Sequence, residues 1–182
     1  KLAELSDVLV HDPLIGKAGI GHTRWATHGE PSVKNAHPHQ KEQVAVVHNG
    51  IIENFRELRE ELANHDLHPE TDTDTETVAM LTHHMLTNGM TPIDAARETV
   101  SKLEGAFALC FLFQGEEDLM IVARNGSPLA IGYGDNEMFV GSDQIALAPM
   151  TNRITYLDEA VFGVLTRISL QIWDAQGALA NR

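Results

Sequence analysis

Cysteine occurs once in these 182 residues, at Cys110, so no disulfide can form within the chain. Basic residues are scarce. Thirteen Lys and Arg stand against 26 Asp and Glu, for a net charge of −13 at pH 7. That balance argues against nucleic acid and membrane surfaces as partners, since both demand a positive face. Small anionic substrates remain open, because one local arginine can hold them. No apolar run approaches the ~18 residues of a membrane-spanning helix. The longest, Ala106–Phe113, has eight and suits a buried strand. Lys1–Val10 lacks the sustained apolar stretch of a secretory leader. These absences fit a reducing, cytoplasmic setting. What is present is ordinary for a globular domain, with 43% hydrophobic and 21% charged residues, and the length is enough to bury one core.

The pattern along the chain changes twice. Leu2–Val10 reads as a short helix, Ala18–His22 as a short strand, and Pro31–His39 as polar and turn-rich. Val44–Val47 is a β-branched run that ends at His48-Asn49-Gly50. Three helices follow. Ile51, Phe55, Leu58 and Leu62 fall on one face of the first, and Val78, Leu81 and Met85 on one face of the second. The second opens at Thr73-x-x-Glu76, a capping-box signature. The third begins Thr91-Pro92, with proline at its favoured first position. After Gly105 the pattern is strands: Ala106–Phe113, Leu119–Ala123, Leu129–Tyr133, Met138–Gly141, Arg153–Leu157, Val161–Leu165 and Ile168–Trp173. Gln144–Met150 is read as one helical turn. This is an α+β arrangement. The continuous apolar run of Ala106–Phe113 calls for cover on both faces, as in a sheet-on-sheet core with helices outside.

Three segments carry chemistry. Gly21–Gly29 reads GHTRWATHG, too polar for core and too shaped for a linker. Its Arg24 offers a planar, permanently charged fork that suits a carboxylate. Asn49-Gly50 is a turn signal, and an amide beside a flexible backbone N–H is also a two-donor oxyanion hole. Asp72–Glu76 contributes acids at a helix start, and Asp74 suits an ammonium group. An arginine for a carboxylate and an aspartate for an ammonium grip a free α-amino acid. An added oxyanion hole points to acyl transfer from its side chain, as in glutamine. Other readings fall short. The acidic run lacks the sixth-position glycine of a calcium loop. His37, His39 and His48 have no spaced partners to complete a zinc set, and the pair His37 and His39, set among turn residues, reads as solvated loop histidines. His83 and His84 point about 100° apart on a helix. No metal or cofactor is expected.

The segments GHTRWATHGEPS, VVHNGIIEN, TDTE, ARNGSPL and GSDQIAL resemble, in order and over essentially the whole chain, the glutaminase domain of the glutamine–fructose-6-phosphate aminotransferases. These are class II glutamine amidotransferases of the N-terminal-nucleophile hydrolase type. Trp25-Ala26 favours them over the related purine-pathway amidotransferases. The resemblance implies a four-layer αββα sandwich and one type 2 amidotransferase domain over residues 1–182. It implies that Arg24 binds the glutamine α-carboxylate and Asp74 the α-ammonium. Trp25, Thr27 and His28 would shape and close the pocket, and Asn49 and Gly50 would form the oxyanion hole. It further implies L-glutamine hydrolysis, ammonia delivery to a sugar isomerase domain for glucosamine 6-phosphate synthesis, and a homodimeric parent. The family's nucleophile is an N-terminal cysteine whose own α-amine, with a pKa near ~8, is the base. Residue 1 here is Lys1, so the expectation is a chain without the first strand-helix-strand segment and catalytically incompetent alone. Cys110, inside an apolar strand, reads as inert core. The alternatives are a non-catalytic glutamine-binding regulatory module and the glutaminase domain of another class II amidotransferase.

Overall fold

The computed structural model describes residues 2–24 and 29–180. Two antiparallel sheets lie face to face, with helices on the outside. The larger has seven strands in the order β1 (His39–Lys41), β2 (Val44–Ile52), β3 (Gly105–Phe113), β4 (Met120–Asn125), β8 (Val161–Leu165), β9 (Leu170–Trp173) and β10 (Leu179–Ala180). The smaller runs β6 (Met138–Gly141), β5 (Ala130–Tyr133), β7 (Ile154–Tyr156). Helices α2 (Phe55–Ala63), α3 (Asp74–Thr87) and α4 (Pro92–Ser101) cover the outer face of the large sheet. One short helix, α5 (Gln144–Leu147), backs the small sheet, and α1 (Leu2–His11) precedes them all. This is the expected helix–sheet–sheet–helix order, and the last layer is thin among the described residues.

The two-residue strand period explains why β3 is apolar throughout. Phe107, Leu109, Phe111 and Phe113 pack under the helices, while Ala108 and Cys110 face the small sheet. The same alternation splits β4, with Ile121 and Ala123 toward the helices and Val122 toward the second sheet. Phe111 is wholly buried, so its truncation to Ala costs about 3–5 kcal/mol. Cys110 belongs to the inter-sheet core, and burial pushes its thiol pKa up to about 12. That agrees with its reading as inert.

Most helix starts form as the sequence suggests. The Thr73 side chain accepts the Glu76 N–H at the start of α3, and Thr91 accepts the Asp94 N–H at the start of α4, with Pro92 beside it. Two expectations are corrected. Asn49-Gly50 does not end its strand: β2 continues to Ile52, because Ile51 and Ile52 pair with Ala106 and Gly105. Ile51 is therefore a partly exposed strand residue, and the first of the three helices starts only at Phe55. Ala18–His22 is not a strand among the described residues but part of an irregular segment with no ladder partner. The short outer strands β1 and β10 carry too little pattern to be read ahead.

Candidate active site

The irregular segment through Arg24, the bend in β2 and the first turn of α3 meet at one end of the large sheet. They enclose a cavity of about 170 Å3 lined by Arg24, Asn49, Gly50 and Asp74, with His37, His48 and Thr75 completing the wall. Four of the residues expected from sequence are thus brought together. Trp25, Thr27 and His28 lie outside the described residues.

Each wall is held by its own bonds. Arg24 has φ 64°, the left-handed region that non-glycine residues rarely adopt. Its Nη2 donates to the Gly29 carbonyl at 3.2 Å. Asn35, 2% exposed, ties this loop to the approach of α3. Its Nδ2 donates to the Glu30 carbonyl at 3.0 Å, and its Oδ1 accepts the Asp72 N–H at 3.2 Å. Gly50 has φ +127°, and a Cβ there would stand 2.0 Å from the Ala106 carbonyl oxygen. Only glycine lets β2 bend this close to β3.

At the start of α3, Thr73, Asp74, Thr75 and Glu76 are all buried. The two acids are used differently. Glu76 is structural. Its carboxylate accepts the Glu70 and Thr71 N–H groups, both at 2.7 Å, and Arg59 Nη2 lies 3.7 Å away. Asp74 accepts the Ile52 N–H on Oδ2 at 2.8 Å and the Thr75 N–H on Oδ1 at 3.0 Å, and it borders the cavity.

The pair read as solvated is not: His39 is buried and His37 half-buried. His39 and His48 are 5% and 4% exposed. His39 Nε2 bonds the Thr73 hydroxyl at 2.9 Å. Thr75 Oγ1 lies 3.0 Å from both His37 Nε2 and His48 Nδ1. A hydroxyl has one proton to give, so at least one of these imidazole nitrogens is the donor. His37 also stacks on His22, with centroids 4.4 Å apart. Burial, then the neighbouring His22, His39 and His48 and the Arg24 charge, lower its pKa to about 3, so it stands neutral at neutral pH. Burial also lowers the pKa of His39, against the opposing pull of Glu76. Among the described residues no group of three or more His, Cys, Asp or Glu is arranged to hold a metal ion.

A cation at one wall, a buried carboxylate at another and an amide between them suit a small zwitterion whose side chain carries a polarisable carbonyl. A larger cavity, about 430 Å3, lies elsewhere. The Lys17–Glu117 pair at 3.1 Å and the Arg167–Asp118 pair at 3.2 Å stand at it, and none of the candidate residues lines it.

The sequence reading missed His22, His37 and Ser142 as parts of this region, and it gave His48 and Thr75, which lie inside its site segments, no role. His22 and Ser142 both sit inside its motifs, but their partners are 27 and 93 residues from them in sequence.

The layered antiparallel fold is that of the amidotransferases. A solved glutamine phosphoribosylpyrophosphate amidotransferase from B. subtilis superposes with a TM-score of 0.69 and 26% identity, over 87% of this chain and 35% of that one. Residues 22–149 match the glutamine amidotransferase domain family, and the chain belongs to it. It is 57% identical over its whole length to a glutamine–fructose-6-phosphate aminotransferase (isomerizing) of Bradyrhizobium diazoefficiens and 54% identical to one of Mesorhizobium japonicum. It spans 30% of the length of each. No described helix is long and apolar enough to cross a membrane.

Proposed function

We propose that residues 1–182 form one type 2 glutamine amidotransferase domain, the glutaminase part of a glutamine–fructose-6-phosphate aminotransferase. The observation that carries this reading is the convergence of Arg24, Asn49, Gly50 and Asp74 on one small cavity. Arg24 holds the α-carboxylate of L-glutamine through paired hydrogen bonds. Asp74 holds the α-ammonium. Asn49 and Gly50 donate to the oxyanion that forms when the side-chain amide is attacked, where such donors act most strongly because water is excluded. Trp25, Thr27 and His28 complete and close the pocket. The attacking thiol is not Cys110, whose raised pKa leaves it protonated at neutral pH.

In the whole protein, the ammonia released passes to a sugar isomerase domain and is fixed into glucosamine 6-phosphate. The protein works in the cytoplasm as a homodimer, with no nucleic-acid or membrane partner. The similarity to the Bradyrhizobium and Mesorhizobium enzymes supports this acceptor. The test is glucosamine 6-phosphate formation by the full-length protein from fructose 6-phosphate and L-glutamine. Arg24→Ala should abolish glutamine-dependent synthesis and spare synthesis from added ammonia. Equal loss of both would overturn the assignment of Arg24 to the glutamine pocket.

A further inference from the structure

We propose that His22 is a positioning residue that sets which end of the Asn49 amide faces the reacting carbonyl. This rests on the glutaminase reading above. The Arg24 backbone N–H donates to His22 Nδ1 at 2.9 Å. That nitrogen therefore carries a lone pair, and in the neutral ring the proton sits on Nε2. His22 Nε2 lies 2.8 Å from the Asn49 side chain, and since it can only donate, the atom facing it must be the oxygen Oδ1. The amide nitrogen is thereby turned the other way. One of its N–H groups donates to Ser142 Oγ at 2.9 Å, and the other remains for a ligand in the cavity that Asn49 lines.

Ser142 cannot make this choice. A hydroxyl donates and accepts equally well, so it would tolerate either orientation of the amide. Without His22 the amide can rotate by half a turn and present Oδ1 to the cavity. An acceptor there repels a developing oxyanion instead of stabilising it. His22 also joins the two halves of the site, because its other nitrogen is bonded to the backbone of Arg24. The ring plane is held by its stacking on His37.

Two substitutions separate the two ring nitrogens. Asparagine places an acceptor near the Nδ1 position and offers no donor at Nε2. Glutamine places a donor near the Nε2 position. In the full-length protein, His22→Asn should lower the kcat of glutamine hydrolysis by about 100-fold, the scale of losing one oxyanion donor, with KM little changed. His22→Gln should recover most of that loss. Wild-type kcat in His22→Asn, equal impairment of both variants, or an effect confined to KM would overturn the proposal. A second readout does not depend on activity. In protein carrying 15N-asparagine, the Asn49 side-chain amide signals should be sharp and slow to exchange in the wild type and in His22→Gln, and averaged in His22→Asn. Unchanged signals in His22→Asn would overturn the positioning role. Absence of glutaminase activity in the wild type would instead count against the functional reading.

Discussion

Asp74 reaches across to the backbone of Ile52, whose N–H it accepts at 2.8 Å. This bond fixes the first turn of α3 against β2 just beyond the Gly50 bend, so the carboxylate both assembles the cavity and lines it. The two roles can be separated. Asp74→Ala strands two backbone N–H groups and should cost about 1–3 kcal/mol by denaturant unfolding. Asp74→Asn keeps an acceptor and should unfold nearer the wild type. It loses the charge that faces the α-ammonium, so its KM for L-glutamine should rise at least about tenfold, ~1.4 kcal/mol.

Arg24→Lys keeps the positive charge but replaces a fork with a point charge. The α-carboxylate then loses its paired geometry. The expected result is a rise of about tenfold or more in the KM for L-glutamine, with melting temperature within a few degrees of the wild type, read from initial rates and a thermal scan.

Gly50→Ala meets two obstacles at once, a φ of +127° and the Ala106 carbonyl 2.0 Å from the new Cβ. Equilibrium unfolding should show a loss above about 2 kcal/mol. Amide shifts should move along both β2 and β3, because the clash lies between them.

The lowered pKa of His37 makes stability depend on pH. Its ordinary value is 6.5 and its folded value about 3, so between those limits the unfolded chain binds a proton that the folded chain does not. The contribution is fully present above about 6.5 and is lost as pH falls toward 3. In His37→Gln, the fall in unfolding free energy over that window should be less steep than in the wild type, by up to one proton. An identical slope would show that His37 does not remain neutral in the fold.

Local signals carried most of the secondary structure. Thr73, Glu76, Thr91 and Pro92 mark helix starts through bonds made within a few residues, and β3 is apolar because both its faces are covered. What the sequence hid was long-range. His48-Asn49-Gly50 reads as a turn, yet pairing with Leu109, Ala108 and Phe107 keeps it in the strand. His39 and His37 read as solvated because the hydroxyls they bond, Thr73 and Thr75, lie 34 and 38 residues away. Arg24, Asn49, Gly50 and Asp74, which line one cavity, were legible as candidates because their chemistry is complementary wherever the fold places them. His22 was not, because its effect passes through a second side chain.

The most direct test of the glutamine pocket is ammonia release from L-glutamine by the full-length protein, measured for the wild type and for Arg24→Ala at matched protein concentration. The wild type should release ammonia, and Arg24→Ala should lose at least about 100-fold in kcat/KM, ~2.7 kcal/mol. Undiminished release by Arg24→Ala, or none by the wild type, would contradict the account.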